Sequence, residues 1–598
     1  MTCSRRTFIK TAAAAAALPQ FAVAESPGRE PLRELPYAGV QLTAGPFKQQ
    51  YDALHAHYLS LSNDRLLKVY RQRAGLTAPG ADMGGWYDLN GFVPGHSLGQ
   101  YISGLARIGA STDDQACHEK VRSLVTGFAA TLGVDNQSIL RPKTNLWPCY
   151  ILDKHIAGLI DSATLSHVSE SRDLLNRVLA GAKPLLPAKG RDRIGKKDPP
   201  YDETYVMPEN LFTAHELTGN PAFRELAMRY LIDRELFDPL ARGGDPFPGQ
   251  HAYSHAIALS SAGKAYLALG DAKYKTAMQN AFTLLTTQQQ FASGGWGPNE
   301  TFIMPHKGEL YDSLSTTVDH FETPCGSYAA IKLARYLLRF TADPKQASRY
   351  GDNLERVLYN TILAAKAPDS NGDYFYYSTY SPTAEKVYYP KKWPCCSGTL
   401  VQTVADYPLN IYFQSADQSG IYINLYTSSQ ARVTLNDTTV QITQRTDYPA
   451  KDEIALHLQP AHAARFTVHL RIPAWLTRPA VITVNGKSSV ITGTPGTFAA
   501  LNRTWYPGDC IGLTLTQSFR TEPIDEQHPE TVALMRGPVM YVALKPANDL
   551  GKGRLTLPGS LTPLSSQTFT ENYGGHQVIF VPFYQIRSES YTTYFNRA

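Results

Sequence analysis

Cysteine is scarce in this chain, with seven residues in 598. That excludes a disulfide-stapled scaffold, which needs a far denser supply. Long apolar runs are missing too: the run from Ala12 to Leu18 is too short to cross a bilayer, so no membrane span is expected. Charge is close to balanced, at 57 Lys+Arg against 52 Asp+Glu for a net +5. With no basic stripe in the sequence, a nucleic-acid partner is excluded.

What is present fits a large folded protein of several domains, 43% hydrophobic and 18% charged. Tyrosine is abundant, at 35 residues. Its flat apolar face and hydroxyl suit sugar rings as well as ordinary packing. The first 24 residues read as an export address. Ser4-Arg5-Arg6-Thr7-Phe8-Ile9-Lys10 is a twin-arginine pattern, followed by the apolar run and the small-residue cleavage site Ala22-Val23-Ala24. Cleavage there removes Arg5, Arg6 and Lys10 and lowers the charge to about +2. The expected destination is the periplasm or the medium of a Gram-negative-type bacterium. Twin-arginine substrates cross already folded, so a thiolate metal site could be loaded in the reducing cytoplasm.

The cysteines that remain are Cys117, Cys149, Cys325, Cys395, Cys396 and Cys510. Glu322-Thr323-Pro324-Cys325 and Trp393-Pro394-Cys395-Cys396-Ser397-Gly398 together offer four ligands of the kind that close a tetrahedral zinc site. Vicinal cysteines make poor disulfide partners, because the S–S geometry strains the backbone. Single buried cysteines also serve as small apolar packing units. If a metal is held, it deprotonates its thiols, and one of the pair can be both ligand and nucleophile. The structural alternative is a closed zinc site that only ties two loops together.

From about Pro46 to Phe413 apolar residues recur at helical steps, as in Tyr51 to Gln72, Ser97 to Ile108, Cys117 to Leu132, Ala256 to Leu269 and Ser327 to Phe340. Breaks at Gly109 to Asp113, Ser162 to Ser171, Thr218 to Pro221, Leu269 to Ala272 and Thr341 to Pro344 recur every 50 to 70 residues or roughly so, the length of a helical hairpin. About six such hairpins closing on themselves predict an (α/α)6 toroid, with an open solenoid as the alternative. Aromatic, Gly/Pro-rich loops interrupt the helices at 84–88, 199–205, 294–300 and 374–377 and read as cavity walls. From about Gly420 the period changes to alternation, with Asn485-Gly486 as a hairpin turn. The expected division is a helical catalytic domain over 25–419, an antiparallel β-sandwich over 420–523 and a smaller β portion over 524–598.

Acidic residues gather upstream of the first cysteine: Glu300, Glu309 and Asp312, with His306 among them. Glycosidic cleavage needs a proton donor and a nucleophile or base, and a glutamate in an apolar, Trp-containing loop suits the first role.

These pieces together resemble glycoside hydrolase family 127. The resemblance rests on Gly294, Gly295, Glu300 and Phe302, on the Glu322-Thr323-Pro324-Cys325 element, on Glu355-Arg356-Val357-Leu358-Tyr359-Asn360, on Tyr374-Phe375-Tyr376, on the double cysteine and on Arg536-Gly537-Pro538. It implies an (α/α)6 barrel with β-sandwich domains, an oligosaccharide or glycoside substrate of the β-L-arabinofuranoside kind, and one zinc bound by Glu322, Cys325, Cys395 and Cys396. It also implies Cys395 as nucleophile, Glu300 as proton donor, and His255 and Tyr376 as sugar contacts. The chain departs from the family in places. Two residues separate Glu322 from Cys325, against the usual one, and Asp153, in Tyr150-Ile151-Leu152-Asp153-Lys154, stands where relatives carry a histidine. Two other classes compete: a carbohydrate-binding or structural protein with a bracing zinc, and an α/α-toroid polysaccharide lyase. The lyase requires a cationic cleft, for which the sequence offers Lys307, Lys391 and Lys392.

Overall fold

The computed structural model describes residues 28–141, 147–190, 202–317, 321–365, 379–382, 384–386, 392–488, 492–545, 561–573 and 575–597. Tyr376, Lys391 and the export address lie outside them. The described residues hold fifteen α-helices. They are α1 (Pro46–Ser60), α2 (Asn63–Arg73), α3 (Leu98–Thr112), α4 (Gln115–Ala129), α5 (Pro148–Thr164), α6 (Ser171–Ala182), α7 (Pro208–Thr218), α8 (Pro221–Tyr230), α9 (Asp238–Ala241), α10 (Ala252–Leu269), α11 (Ala272–Leu284), α12 (Glu309–Thr316), α13 (Pro324–Arg339), α14 (Pro344–Val357) and α15 (Cys395–Ala405). The Tyr51-to-Gln72 pattern is two helices, because Ser62 takes extended backbone and its hydroxyl accepts from Arg65 N as the N-cap of α2. At the hairpin turns, Asn220 and Asp271 cap α8 and α11 in the same way.

Ring closure separates a toroid from a solenoid. α3 packs on α5, α5 on α7, α7 on α10, and α15 returns onto α3. Gly263 of α10 abuts the Tyr336 ring of α13, and Cys325 of α13 meets Cys395 of α15. Six inner helices therefore close a ring, with the hairpin partners α4, α6, α8 and α11 packed on them from outside. The tightest seam is α3 against α5. A Cβ on Gly99 would fall 1.9 Å from Lys154 O, and one on Gly158 would fall 2.5 Å from Gly99 O. Only glycine allows these backbones to touch, and the contact fixes the turn of α5 that carries Asp153 and Lys154.

The chain divides into two compact units. One comprises the described residues up to Gly45, Leu338–Arg349 and Leu409–Thr516. It holds a five-stranded and a seven-stranded sheet. Ser429–Leu435 alternates buried and exposed residues along its length, as a half-buried strand must. Asn485 and Gly486 take left-handed backbone at the hairpin between Val481–Val484 and Lys487–Ser488. Two features depart from the expected antiparallel sandwich that begins at 420. Gly420–Ile423 runs parallel to Ala464–Ile472, and the short strands Leu32–Glu34 and Val40–Leu42 join from ahead of the helices.

The other unit comprises Pro46–Leu337, Tyr350–Pro408 and the residues from Gln517 onward. Its sheet begins at Phe519–Pro523 rather than after 523, and it shares a core with the helical part. Phe291, Phe321 and Tyr380 pack with Met535, Met540, Val542 and Phe583. Two of the resemblance motifs meet here. Asn360 donates to Pro538 O at 2.9 Å and accepts from Met540 N at 2.8 Å. Arg356 makes a two-pronged pair with Glu522, at 2.6 and 2.9 Å, and Arg520 donates to the same carboxylate at 2.8 Å. These motifs stitch sheet to helices.

Candidate active site and metal centre

Two neighbouring inner helices bring their starts together. Pro324 is the first residue of α13, a position that needs no amide hydrogen, and Cys325 follows it. Pro394 in extended backbone precedes α15, which begins with Cys395 and Cys396. The three sulfurs converge, with Cys325 Sγ 3.1 Å from Cys396 Sγ and 3.4 Å from Cys395 Sγ, and the vicinal pair 3.9 Å apart. Their support is built into the ring: Tyr58 OH donates to Ser397 O at 2.6 Å, Tyr101 OH and Ser397 Oγ share a hydrogen bond of 2.6 Å, and Trp393 Nε1 donates to Met83 O at 2.8 Å.

Cys325 and Cys396 are buried, whereas Cys395 is partly exposed. Burial, reinforced by the neighbouring thiols, pushes Cys325 and Cys396 well above the ordinary thiol range. Three sulfurs pressed together have little to gain from one another, but they form a donor set that suits zinc. A tetrahedron with Zn–S bonds of ~2.3 Å places its sulfurs about 3.8 Å apart, close to the spacing here. Helix N-termini also favour anionic sulfur. The donor set fits the metal.

Glu322 stands apart from the sulfurs. Donor atoms mutually within 4.8 Å comprise Cys325, Cys395 and Cys396 but not Glu322. Its buried carboxylate accepts from Tyr380 OH at 2.5 Å and from Ser293 Oγ at 2.8 Å. It presses so closely on the 294–295 turn that a Cβ on Gly295 would fall 1.4 Å from its Oε2. The wider Glu–Cys spacing, closed by the helix-starting Pro324, goes with this arrangement.

Cys325 and Cys395 line a cavity of about 220 Å³ inside the ring, together with Tyr150, Asp153, Lys154, Glu203 and Glu209. Asp202 caps α5 by accepting from the backbone N of Cys149 and Tyr150 at 3.0 and 3.1 Å, which aims Tyr150 and Asp153. Burial raises the Asp153 carboxyl to about 6, although Asn210 Nδ2 donates to it at 2.8 Å. The cavity's cations are largely spoken for. Arg107 pairs with Asp161 at 2.8 Å and with Asp406 at 3.0 Å, Arg335 pairs with Asp406 at 2.9 Å, and Lys332 pairs with Glu209. Lys307 is exposed and Lys392 half-buried, and neither lines the cavity. A cationic cleft of the lyase kind is absent among the described residues.

Glu300 sits in a strained turn. Asn299 and Glu300 both take left-handed backbone, at φ 55° and 60°, a costly pair for residues with a Cβ and one that recurs at functional sites. Its side chain is 23% exposed, with Oε2 3.8 Å from His251 Nε2. His251 caps α10, its Nδ1 accepting from Ser254 N, and its Nε2 faces Glu300. Tyr253 senses Glu300 and the Cys396 thiol alike, although burial is the main reason its phenol is raised. Glu309, by contrast, ties its own loop, accepting from Met304 N at 2.9 Å, and exposed His306 pairs with Glu526. His255 is fully buried, its Nδ1 bonded to His251 O at 2.9 Å and its ring 4.8 Å from that of Tyr205.

Sequence reasoning missed His251, and also His96, a buried ring bonded through Nδ1 to Val93 O at 2.7 Å and lowered to about 4 chiefly by burial. His251 could have been found from its place three residues ahead of Ser254, the N-cap spacing. His96 left no such signal.

A closed ring of helical hairpins with three thiols at two inner helix starts defines an α/α toroid with a candidate metal centre. Residues 39–409 match the model described as β-L-arabinofuranosidase, GH127 catalytic domain, and residues 420–517 match the GH127 middle domain. The chain belongs to the GH127 family. It is 25% identical over 299 residues to a non-reducing end β-L-arabinofuranosidase of Bifidobacterium longum subsp. longum, an alignment over 46% of this chain and 43% of that protein. The chain thus spans less than half the length of that curated relative. A GH127 β-L-arabinofuranosidase from Geobacillus stearothermophilus T6 superposes with a TM-score of 0.73 at 19% identity, over 94% of this chain and 100% of that one. A second solved GH127 β-arabinofuranosidase gives 0.73 at 18% identity, over 95% and 98% of the two chains. These solved structures establish the likeness of fold.

Proposed function

We propose that the protein is an exported, zinc-dependent retaining glycoside hydrolase that removes non-reducing β-L-arabinofuranosyl groups from plant-type glycans. The observation that carries this reading is the position of Cys395. Of the two clustered thiols that line the cavity, Cys325 and Cys395, it is the more exposed. Cys325, Cys395 and Cys396 would hold the zinc, and Glu322 would complete the set by turning its carboxylate from Ser293 and Tyr380 towards the sulfurs. Bound there, the metal would keep Cys395 as thiolate at neutral pH.

Cys395 Sγ attacks the anomeric carbon as the glycosidic C–O bond breaks, and the leaving oxygen takes the proton of Glu300. The Glu300 carboxylate then takes a proton from water. That water's oxygen bonds to the anomeric carbon, the C–S bond breaks with its electron pair returning to sulfur, and two inversions give net retention. Asp153 and Tyr376 are the proposed sugar contacts, whereas His255, expected as a third, is fully buried and bonded to His251 O, and so supports the start of α10 instead. His251, with its Nε2 facing Glu300, helps to place that carboxylate.

A panel of 4-nitrophenyl furanosides and pyranosides, with the product anomer followed by NMR, tests the reading. Hydrolysis of the β-L-arabinofuranoside with retention is expected. Inversion, or no turnover of any furanoside by zinc-loaded protein, would overturn it.

A further inference from the structure

A sulfur, an imidazole and a carboxylate also converge where α1 packs on α4. His55 of α1, Asp114 at the N-cap of α4 and Cys117 in its first turn bring one donor atom each within 4.8 Å of one another. His55 Nε2 lies 2.8 Å from Asp114 Oδ2 and 3.3 Å from Cys117 Sγ, and that sulfur lies 3.7 Å from the same oxygen.

The arrangement is not a nucleophile relay. A relay sets the acid on one ring nitrogen and the thiol on the other, whereas here both stand at Nε2. Hydrogen bonding instead gathers ring and thiol on Asp114 Oδ2, which faces His55 Nε2 at 2.8 Å and accepts from the Cys117 thiol at 3.7 Å. A cation between the three atoms can serve all of them. Around a tetrahedral zinc with bonds of 2.0–2.3 Å, ligand atoms sit about 3.3–3.8 Å apart, a small expansion of the present triangle. Asp114 is already aimed: its Oδ1 accepts from Ala116 N at 2.9 Å, which leaves Oδ2 for the cluster. Burial and the adjacent Asp114 carboxylate push the Cys117 thiol up to about 12, so it is a bound cation that would make it a thiolate. Lys120, one turn on, is turned away, its ammonium bonded to Leu61 O and to Asn63 Oδ1. Cys117 is buried, and the His55 side chain is 21% exposed, so the cluster has one open side.

We infer that His55, Asp114 and Cys117 form a second zinc site, with three protein ligands and an open fourth position. The mixed N, O and S donors suit a borderline ion such as Zn²⁺. When occupied, the site braces α1 against α4, so its loading adds to stability.

The test is equilibrium dialysis of the full chain against Zn²⁺, with metal counted per chain for wild type, His55→Gln, Cys117→Ala and Cys325→Ser. His55 is partly exposed, so its variant stands in if Cys117→Ala fails to fold, with circular dichroism as the check. The expected result is one ion fewer in His55→Gln and Cys117→Ala than in wild type, while Cys325→Ser keeps the ion they lose. That difference is independent of how the cavity cysteines behave. Equal zinc counts in wild type and both variants would overturn the proposal.

Discussion

Cys325 is the second residue of one inner helix and Cys396 the second of another, yet their sulfurs stand 3.1 Å apart, with Cys395 completing the triangle. Burial holds both thiols in the protonated form in the absence of a cation. Zinc reverses that balance by taking thiolates as ligands. Cys325→Ser is expected to weaken zinc binding at this cluster by at least about tenfold and to lower the melting temperature with it. Metal analysis and thermal unfolding of the same preparation check both. Unchanged zinc affinity would remove Cys325 from the site.

Asp153 gives a pH signature. Its folded value is raised to about 6 by burial, so the folded chain binds this proton more tightly than the unfolded one. The resulting stability is present below about pH 4 and is lost as pH rises through about 6. Asp153→Asn removes that loss. The variant should match wild type near pH 4 and exceed it at pH 7 by up to about 3 kcal/mol. Denaturant midpoints at both pH values measure it, and parallel curves would count against a buried, protonated carboxyl.

Glu522 has the opposite sign. Although burial opposes it, pairing with Arg356 and Arg520 holds its carboxyl at about 2. Its stabilisation is present above the ordinary carboxylate range and is lost as pH falls through about 2. Glu522→Gln should cost about 3 kcal/mol at pH 7 and flatten the acid limb of the stability curve. Hydrolytic activity should fall only as far as folded protein is lost.

Glu300 and Glu309 were indistinguishable as residue types in one acidic stretch. The structure sets Glu300 on a strained turn facing His251 and gives Glu309 a backbone amide to hold. Glu300→Gln should lose about 10²–10⁴-fold on substrates with poor leaving groups and much less on activated aryl glycosides, which need less protonation. Glu309→Gln should keep activity on both. The reverse pattern in steady-state kinetics would reassign the donor.

Much of the ring was legible because helical periodicity is local, and Asn220 and Asp271 mark their own turns. The double cysteine stood out because cysteine is rare and vicinal pairs resist disulfides. Closure of the ring was not legible, since the α15 to α3 contact is set by tertiary packing. The Asp161–Arg107–Asp406–Arg335 chain draws on widely separated segments and shows no pattern in sequence. Glu322 was visible as a candidate ligand, but the direction of its carboxylate depends on Ser293 and Tyr380, which no spacing rule connects to it. Val40–Leu42 is too short for alternation to register.

The central claim is that Cys395 bonds to the sugar. A furanosyl electrophile incubated with zinc-loaded protein, followed by intact mass spectrometry and peptide mapping, tests it most directly. The account predicts one adduct, on Cys395, with activity lost in step, and a Cys395→Ser protein that folds, takes no label and is slower by about 10⁴-fold. A label on Glu300 or another carboxylate, with Cys395→Ser still active, would contradict it.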